Sequence, residues 1–261
     1  MPGRSKTELT RGAPRLLAVL AHPDDESMGA GGLIVRHTRN NMLVRLVCAT
    51  RGEQGWGGRP PGARKEDLAK IRTAELEAAS KALAIVEVEL WDYPDGGVDG
   101  TDRAEISDRI GQVIRDFGPA AVITWGPDGG YGHPDHIAIG ACTDAAVAAI
   151  GEDDRPALYH LAIDEQLAGS YRELINLVPT DGEAMPLAVA DHVDVIFELS
   201  PDEVKMKLRA IYCHESQLQD WMMEVQKHPD LLQRGWGHEP YIAVPSRNTA
   251  LTAAGLLEEF E

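Results

Sequence analysis

The sequence predicts an α/β fold in which helices cover both faces of a mainly parallel β-sheet. Short, almost wholly apolar runs of strand length recur along the first half of the chain, as expected of strands that are buried on both faces. Longer stretches with apolar residues at helical spacing separate these runs. Alternation of strand and helix at this spacing is typical of βαβ units, which build parallel sheets.

Four strands are predicted in the first half of the chain. The clearest is residues 15–21, RLLAVLA, and residues 42–49 form a second run of the same kind. The other two follow helical stretches, where the period of the apolar pattern shortens from 3.6 towards 2. They are residues 86–91 and 120–125.

A helical stretch follows each of these strands. The second stretch is long and charged, with Leu68, Ile71 and Leu83 among its apolar residues at near-helical spacing. The third ends at Gly118, which is followed by proline, a common helix stop. The predicted helices are residues 26–39, 64–83, 101–117 and 137–150.

The last third of the chain has a less regular pattern. It is predicted to contain a loop at 179–186, a strand at 192–199, a helix at 201–214 and a closing strand with a loop at 236–246. The sequence has no internal repeat, low-complexity linker or break in composition. The simplest expectation is one domain over residues 1–261, with a flexible segment at 1–13 and a decorated C-terminal portion at 160–261. Two domains are also compatible with the pattern.

Composition limits the class of protein. The chain has 261 residues, 43% of them hydrophobic, and its formal net charge of −17 disfavours binding to nucleic acid. The cysteines Cys48, Cys142 and Cys213 are odd in number and widely spaced, which favours a reducing cytoplasm over a disulfide framework. No run approaches the roughly 18 apolar residues of a membrane span, and the polar first residues do not resemble a signal peptide.

Two clusters of histidine and acidic residues follow predicted strands. Residues 22–26, HPDDE, come directly after the first strand, and residues 131–136, YGHPDH, follow the fourth through a glycine-rich loop. Ligands of an open parallel sheet bind at the carboxyl ends of its strands. If the first and fourth strands are neighbours, the two clusters meet across a topological switch point, whereas other strand orders would separate them.

Together the clusters offer imidazole and carboxylate groups, which are ligands that suit zinc. A catalytic zinc ion commonly takes three protein ligands. A bound cation would also explain three consecutive acids, because it attracts carboxylates that otherwise repel one another. An acid left free of the metal could take a proton from water. The candidate side chains are His22, His133, His136, Asp24, Asp25, Glu26 and Asp135.

Two other patterns are weaker. The glycines at 29–32 are similar to a dinucleotide-binding loop, but Ile34 stands where that motif needs glycine, and no acid ends the second strand. These glycines more simply allow close approach of the first helix to the sheet. Residues 228–230 repeat the letters HPD without a preceding strand or a second acid, so we expect a turn or a helix cap there.

The motifs AHPDDE at 21–26 and GYGHPDH at 130–136 resemble those of the zinc-dependent N-acetylglucosaminyl de-N-acetylase family, also called PIG-L or LmbE-like. RTAE at 72–75 looks like the family's helical R-x-x-E, and HESQ at 214–217 looks like its late H-x-S-Q. The resemblance spans about residues 14–217. It implies a Rossmann-like α/β fold and hydrolysis of the acetamide of N-acetylglucosamine-containing substrates.

The resemblance also implies roles for residues of the first motif and for His136 of the second motif. His22, Asp25 and His136 would bind zinc, although iron(II) could occupy such a set. Asp24 would be the general base for the attacking water. Spacing alone leaves open which of the two aspartates binds the metal.

The second motif would supply the general acid of the reaction. By resemblance, His133 would protonate the departing amine or stabilise the tetrahedral intermediate as a cation. Asp135 would orient His133 and keep its pKa high. Tyr131 would donate a hydrogen bond to the developing oxyanion.

Three further residues are candidates for substrate binding. Arg72 could hold sugar or inositol hydroxyls, or it could form only a surface ion pair with Glu75. Trp56, in a glycine-rich loop, could stack on a sugar as part of a lid, or it could lie against the domain. His214 could line the pocket or lie on a helix face.

The remaining histidines and basic residues are expected to be structural. One group has no partner in sequence and consists of His37, His160 and His192. A second group is expected to form a solvated helix face, too sparse to bind an anionic membrane, and consists of Lys205, Lys207 and Arg209.

The sequence thus predicts a zinc-dependent hydrolase that removes the N-acetyl group from an N-acetylglucosamine-containing small molecule or glycoconjugate. Its partner would be a small N-acetylated amino sugar, and self-association stays open. One alternative is an amidase of the same family acting on a larger acyl group, such as that of a thiol S-conjugate. A second is a non-catalytic Rossmann-like nucleotide-binding module. A metal-dependent phosphoesterase is disfavoured by the scarcity of basic residues near the motifs.

Overall fold

The computed structural model describes residues 14–56, 65–177, 186–218 and 223–245, which build one seven-stranded sheet. Across the sheet the strand order is β3-β2-β1-β4-β5-β7-β6. The first five strands in the chain pair in parallel, whereas β7 runs antiparallel to β5 and to β6. The strands are β1 (Arg15–Leu20), β2 (Leu43–Thr50), β3 (Glu87–Tyr93), β4 (Ala121–Trp125), β5 (Ala157–Leu161), β6 (Val195–Glu198) and β7 (His238–Ala243).

Helices connect the strands, and several have clear end signals. None of the described helices is long and apolar enough to cross a membrane. Besides a short distorted turn of helix at Gly129–Gly132, the described α-helices are α1 (Asp25–Met28), α2 (Gly31–Arg39), α3 (Lys65–Ala82), α4 (Arg103–Phe117), α5 (Pro134–Ala148), α6 (Glu165–Leu177), α7 (Pro201–Ile211) and α8 (Pro229–Trp236). At α4, the Asp102 carboxylate accepts from two backbone N–H groups of the first turn, and Gly118 ends the helix with φ of 59°.

The two faces of the sheet carry separate apolar cores, as the alternation of side chains in β1 requires. Leu16, Ala18 and Leu20 belong to one core, with residues of α2, α3 and α7. Leu17 and Val19 belong to the other, with residues of α4 and α5. Burying each such aliphatic side chain contributes about 1.5–3 kcal/mol, so both faces of β1 stabilise the sheet.

The predicted class, a mainly parallel sheet with helices on both faces, is confirmed. The predicted helix at 26–39 is wrong in detail, because the backbone leaves the helical region at Ala30 (φ −128°, ψ 9°) and α1 and α2 are separate. The helix predicted to begin at Ile137 begins at Pro134, since proline is tolerated in the first turn. The HPD at 228–230 opens α8.

Differences concentrate beyond residue 150. The sequence pattern did not predict β5 or α6. The strand predicted at 192–199 is shorter in the structure, where β6 spans four residues at the edge of the sheet. The predicted flexible segment at 1–13 lies outside the described residues, as does all but the last residue of the predicted loop at 179–186.

Candidate metal centre and active site

The two acidic and histidine clusters meet at the carboxyl ends of β1 and β4. These strands are parallel neighbours, with Leu16 paired with Ala121 and Ala18 with Ile123. The condition that sequence left open is therefore met. Helix α5, which carries His136, packs closely on the end of β4 at Gly140. A side chain there would clash, because a Cβ on Gly140 would lie 2.2 Å from the carbonyl oxygen of Trp125.

Three side chains surround one point at this edge. Nδ1 of His22 lies 3.1 Å from Nε2 of His136, and the same Nε2 lies 3.4 Å from Oδ1 of Asp25. Nδ1 of His22 lies 3.9 Å from Oδ2 of Asp25. All three residues are buried. Two nitrogens and one carboxylate converging in this way form a donor set that fits a zinc or iron(II) ion.

Neighbouring groups hold Asp25 and His136 in place. Oδ2 of Asp25 accepts hydrogen bonds from the backbone N–H of Ala21 (3.0 Å) and of His22 (2.9 Å) and from Nε1 of Trp125 (3.1 Å). The Trp125 ring stacks on His136 with ring centroids 4.0 Å apart. Burial would raise the pKa of Asp25, but His136 and His22 lower it below its usual range. Asp25 is therefore an anion positioned to bind a cation.

The opposite nitrogen of His22 faces two carboxylates. Nε2 lies 3.2 Å from Oδ2 of Asp135 and 3.1 Å from Oδ1 of Asp95. The Asp135 carboxylate in turn accepts from the backbone N–H of Gly96 (2.7 Å) and Val98 (3.0 Å). Burial lowers the pKa of His22, but Asp135 and Asp95 outweigh it and raise the pKa to about 10. Such carboxylate contacts orient a ligating histidine.

The expected contact between the Asp135 carboxylate and His133 is not seen, and the charge of Asp135 raises the pKa of His133 without keeping it high overall. Nδ1 of His133 accepts from the backbone N–H of Asp135 (3.2 Å), while the Asp135 carboxylate contacts His22. Burial lowers the pKa of His133, and His22 and His136 lower it further. The His133 ring nevertheless lies beside the cluster, with centroids 4.6 Å from His22 and 4.7 Å from His136.

Tyr131 lies at the edge of the same cluster. Its ring packs edge-on against His136 and His133, with centroids 5.3 and 5.7 Å away. Burial raises the pKa of the Tyr131 hydroxyl, with a further rise from Asp25 and Asp24. The phenol is therefore a neutral hydrogen-bond donor at neutral pH.

Asp24 has surroundings that differ from those of Asp25. Its backbone has φ of 117°, a left-handed conformation that strains a non-glycine residue. Nη2 of Arg72 donates to Oδ2 of Asp24 over 3.1 Å, and the other carboxylate oxygen has no hydrogen-bond partner among the described residues. Burial raises the pKa of Asp24, although Arg72 opposes that rise.

Arg72 is buried, only 3% exposed, so the alternative of a surface ion pair with Glu75 is wrong. Besides Asp24, its guanidinium donates to the carbonyl oxygens of Gly52 (2.9 Å) and Pro23. Glu75 instead accepts from the N–H and the hydroxyl of Ser216, each over 2.7 Å. Contact with substrate stays a prediction for Arg72.

Glu26 and His214 form a buried pair behind Asp24. Nε2 of His214 lies 2.7 Å from Oε1 of Glu26, and Oε2 of Glu26 accepts from the backbone N–H of Asp24 over 3.0 Å. Glu26 therefore faces His214 and not the metal cluster. Nδ1 of His214 is buried without a hydrogen-bond partner among the described residues. Its predicted role in substrate binding stays a prediction.

The remaining candidates lie apart from the cluster. The Trp56 side chain is 51% exposed, so the alternative in which it lies against the domain is wrong, and its role in a lid stays a prediction. Lys205 and Arg209 are exposed as expected. Lys207 is not part of a solvated face, because it is 2% exposed and its Nζ lies 2.6 Å from Oε1 of Glu239.

The histidines expected to be structural lie outside the metal cluster. Nδ1 of His37 lies 2.9 Å from the carbonyl oxygen of Leu33, and Nε2 of His160 lies 2.8 Å from the carboxylate of Asp144. His192 is exposed.

Sequence reasoning missed Asp95 and Trp125. Asp95 follows the third strand in the turn PDGG, and this position at the same edge of the sheet was an available signal. Trp125 is the last residue of β4, yet a tryptophan there is equally typical of a core position. Within the described residues, two groups of three place ligand atoms within 4.8 Å of one another: His22, His133 and His136, and His22, Asp95 and Asp135.

Comparison with known proteins agrees with this geometry. The PIG-L family model, described as GlcNAc-PI de-N-acetylase, matches residues 17–147. A 1D-myo-inositol 2-acetamido-2-deoxy-alpha-D-glucopyranoside deacetylase of Actinosynnema mirum is 35% identical over 237 residues, covering 80% of this chain and 82% of that protein. A probable N-acetyl-alpha-D-glucosaminyl L-malate deacetylase 2 of Bacillus anthracis is 37% identical over 149 residues, covering 56% and 65%.

The fold has solved counterparts. The N,N'-diacetylchitobiose deacetylase of Pyrococcus horikoshii superposes with a TM-score of 0.62 at 21% identity, covering 95% of this chain and 92% of that one. At that identity the likeness concerns the fold. The family match over residues 17–147 and the 35% identity to the Actinosynnema mirum protein show that the chain belongs to the PIG-L de-N-acetylase family.

Proposed function

We propose that this protein is a zinc-dependent hydrolase that removes the N-acetyl group from an N-acetylglucosamine-containing small molecule or glycoconjugate. The observation that carries the proposal is the convergence of His22, His136 and Asp25 within 3.9 Å, beside a second aspartate that faces Arg72 instead. The named activities of the relatives from Actinosynnema mirum and Bacillus anthracis support the substrate class.

His22, Asp25 and His136 would hold the ion. When bound there, zinc would polarise the amide carbonyl and lower the pKa of water. The surroundings of the two aspartates support their division of roles. Asp25 has both oxygens directed at histidine, backbone and Trp125, whereas Asp24 keeps one oxygen free of hydrogen bonds from the described residues.

The remaining chemistry belongs to side chains of this chain. Asp24, whose pKa burial raises, would accept the proton of the attacking water. Tyr131 would donate a hydrogen bond to the carbonyl oxygen as negative charge develops. His133, beside the cluster, would pass a proton to the departing amine, so that acetate and a free amino sugar result.

The strands β1 and β7, which begin at Arg15 and end at Ala243, belong to one sheet, and this supports the proposal of a single domain over residues 1–261. The complete set of donor side chains favours a catalytic protein over the nucleotide-binding module. No described observation favours the amidase of larger acyl groups as the main activity.

Amine release tests the proposal. The purified chain, loaded with zinc or iron(II) or treated with a chelator, is assayed against N-acetylglucosamine linked to inositol, malate or a second sugar. We expect release from at least one compound that depends on the metal, with about one metal bound per chain. Release that is unaffected by complete metal removal would contradict the proposal.

A further inference from the structure

An apolar cavity of about 190 Å³ adjoins the metal cluster. Trp125 and Tyr131 line it, and the same two rings pack against His136. Through these two rings the cavity neighbours the place where the scissile amide would lie. Its other walls come from α1, β5, α6, α7, α8, β7 and the segment at 186–190. The apolar side chains of these walls include Met28, Leu161, Leu167, Leu174, Leu187 and Trp236.

The charged residues of the lining are already paired with protein groups. Nζ of Lys207 lies 2.6 Å from Oε1 of Glu239. The ring nitrogens of His238 lie 2.6 Å from a carboxylate oxygen of Asp164 and 2.7 Å from one of Glu198. The cavity thus offers few free partners to the hydroxyl groups of a sugar or an inositol. A polar group buried without hydrogen bonds is destabilising, so an apolar occupant is favoured.

One helix presents a continuous apolar stripe to this cavity. Leu167, Tyr171 and Leu174 follow one another along α6 at helical spacing and all line it. A cavity of about 150 Å³ lined by leucine, isoleucine and phenylalanine binds benzene. The volume here therefore suits an aromatic ring or a short alkyl chain.

We propose that this cavity is a binding subsite for an apolar group of the substrate, an aryl ring or an alkyl chain of about six carbons, carried on the N-acetylglucosamine compound. The inference rests on the proposed function, because it places the sugar amide at the metal cluster. The apolar group belongs either to the aglycone or to the acyl group, and both present the same chemistry to the lining.

Two substrate series distinguish these sources in the metal-loaded chain. One holds the acetyl group constant and varies the glycoside from methyl to propyl, hexyl and benzyl. The other holds the methyl glycoside constant and varies the acyl group from acetyl to butanoyl and hexanoyl. We expect kcat/KM to rise at least about tenfold along one series, since a single methylene in an apolar pocket contributes about 10-fold or more.

Each outcome decides a different point. A rise along the glycoside series assigns the cavity to the aglycone and agrees with the proposed function. A rise along the acyl series assigns the cavity to the acyl group and replaces the proposed de-N-acetylase with the amidase of larger acyl groups. Flat or falling values in both series, with the methyl glycoside hydrolysed, overturn the subsite and leave the proposed function standing. If no compound is hydrolysed, the proposed function fails, and binding of hexyl and methyl glycosides of glucosamine is compared by calorimetry. Equal affinities would then overturn the subsite, and at least tenfold tighter binding of the hexyl glycoside would support it.

A pair of variants on α6 locates the effect. Leu167→Trp fills the cavity, so the ratio of kcat/KM for the hexyl over the methyl glycoside, or for the longer over the shorter acyl group, should fall about tenfold. Arg172→Trp adds an indole at an exposed position of the same helix and should keep the ratio. An unchanged ratio in a folded Leu167→Trp protein would contradict this location.

Discussion

Nη2 of the buried Arg72 donates a hydrogen bond to Oδ2 of Asp24 over 3.1 Å. The two residues come from different motifs, one on α3 and one in the turn after β1. The same guanidinium donates to the carbonyl oxygen of Pro23, the residue before Asp24. Arg72 therefore holds both the side chain and the backbone of the aspartate that we assign as the base.

The first prediction concerns this contact. Arg72→Met should lower kcat about 10-fold to 100-fold with a smaller change in KM, because it removes the group that orients a base worth about 10²–10⁴ in rate. Arg72→Lys should recover part of the loss. Steady-state kinetics with metal analysis checks this, and Lys70→Met, at an exposed position of the same helix, is the matched control. A raised KM at unchanged kcat would instead assign Arg72 to substrate binding.

The second prediction separates the two aspartate roles. Asp24→Asn should keep the metal and lose about 10²–10⁴ of kcat, since only proton transfer is removed. His136→Ala should lose metal together with activity, because it deletes one of three ligands. Metal content by atomic spectroscopy and turnover are measured on the same samples. Equal loss of metal in both variants would undo the assignment.

The third prediction concerns the carboxylates behind His22. Asp135→Asn should weaken metal binding about 10-fold to 100-fold, as is typical of groups that orient a ligating histidine. Asp95→Asn should act in the same direction, because both carboxylates face Nε2 of His22. Competition with a chelator measures the affinity, and Asp99→Asn at an exposed neighbouring position is the control. Unchanged affinity with reduced turnover would place Asp135 in catalysis alone.

The fourth prediction is a pH dependence of stability at the start of α7. Burial would raise the pKa of Glu203, but hydrogen bonds from Arg36 and Ser200 lower it from 4.5 to about 2. The folded state thus binds the Glu203 proton more weakly than the unfolded state. The contribution to stability is complete above pH 4.5 and is lost as the pH falls towards 2.

Glu203→Gln should therefore lower the free energy of unfolding by about 1 kcal/mol at pH 7, because the neutral amide can keep the capping contact with Ser200 but loses the ion pair with Arg36. The difference from the unchanged protein should shrink between pH 4.5 and 2. Urea denaturation across this range measures it, with Asp202→Asn at an exposed neighbouring position as control. A difference that does not vary with pH would show that the Glu203 charge has no stabilising role.

Sequence patterns predict the class of fold, the edge of the sheet that carries the two motifs and the side chains among which the metal ligands are expected. These features depend on local patterns. A run such as RLLAVL reports burial on both faces of a strand, and the polar residues that follow it must lie at the strand's carboxyl end. Two enriched motifs then identified a donor set and a family without any knowledge of strand order.

Which side chains meet depends on how the helices and strands pack against one another. The pairs Arg72 with Asp24, His214 with Glu26 and Lys207 with Glu239 join residues far apart in sequence. In each pair a polar group is buried, and a buried polar group must find a partner wherever the chain brings one. Periodicity reports the burial of one segment and not the identity of the segment packed against it. For that reason the sequence predicts a solvated Lys207. The family resemblance likewise pairs Asp135 with His133, although the strand order and the turn after β3 place its carboxylate on His22.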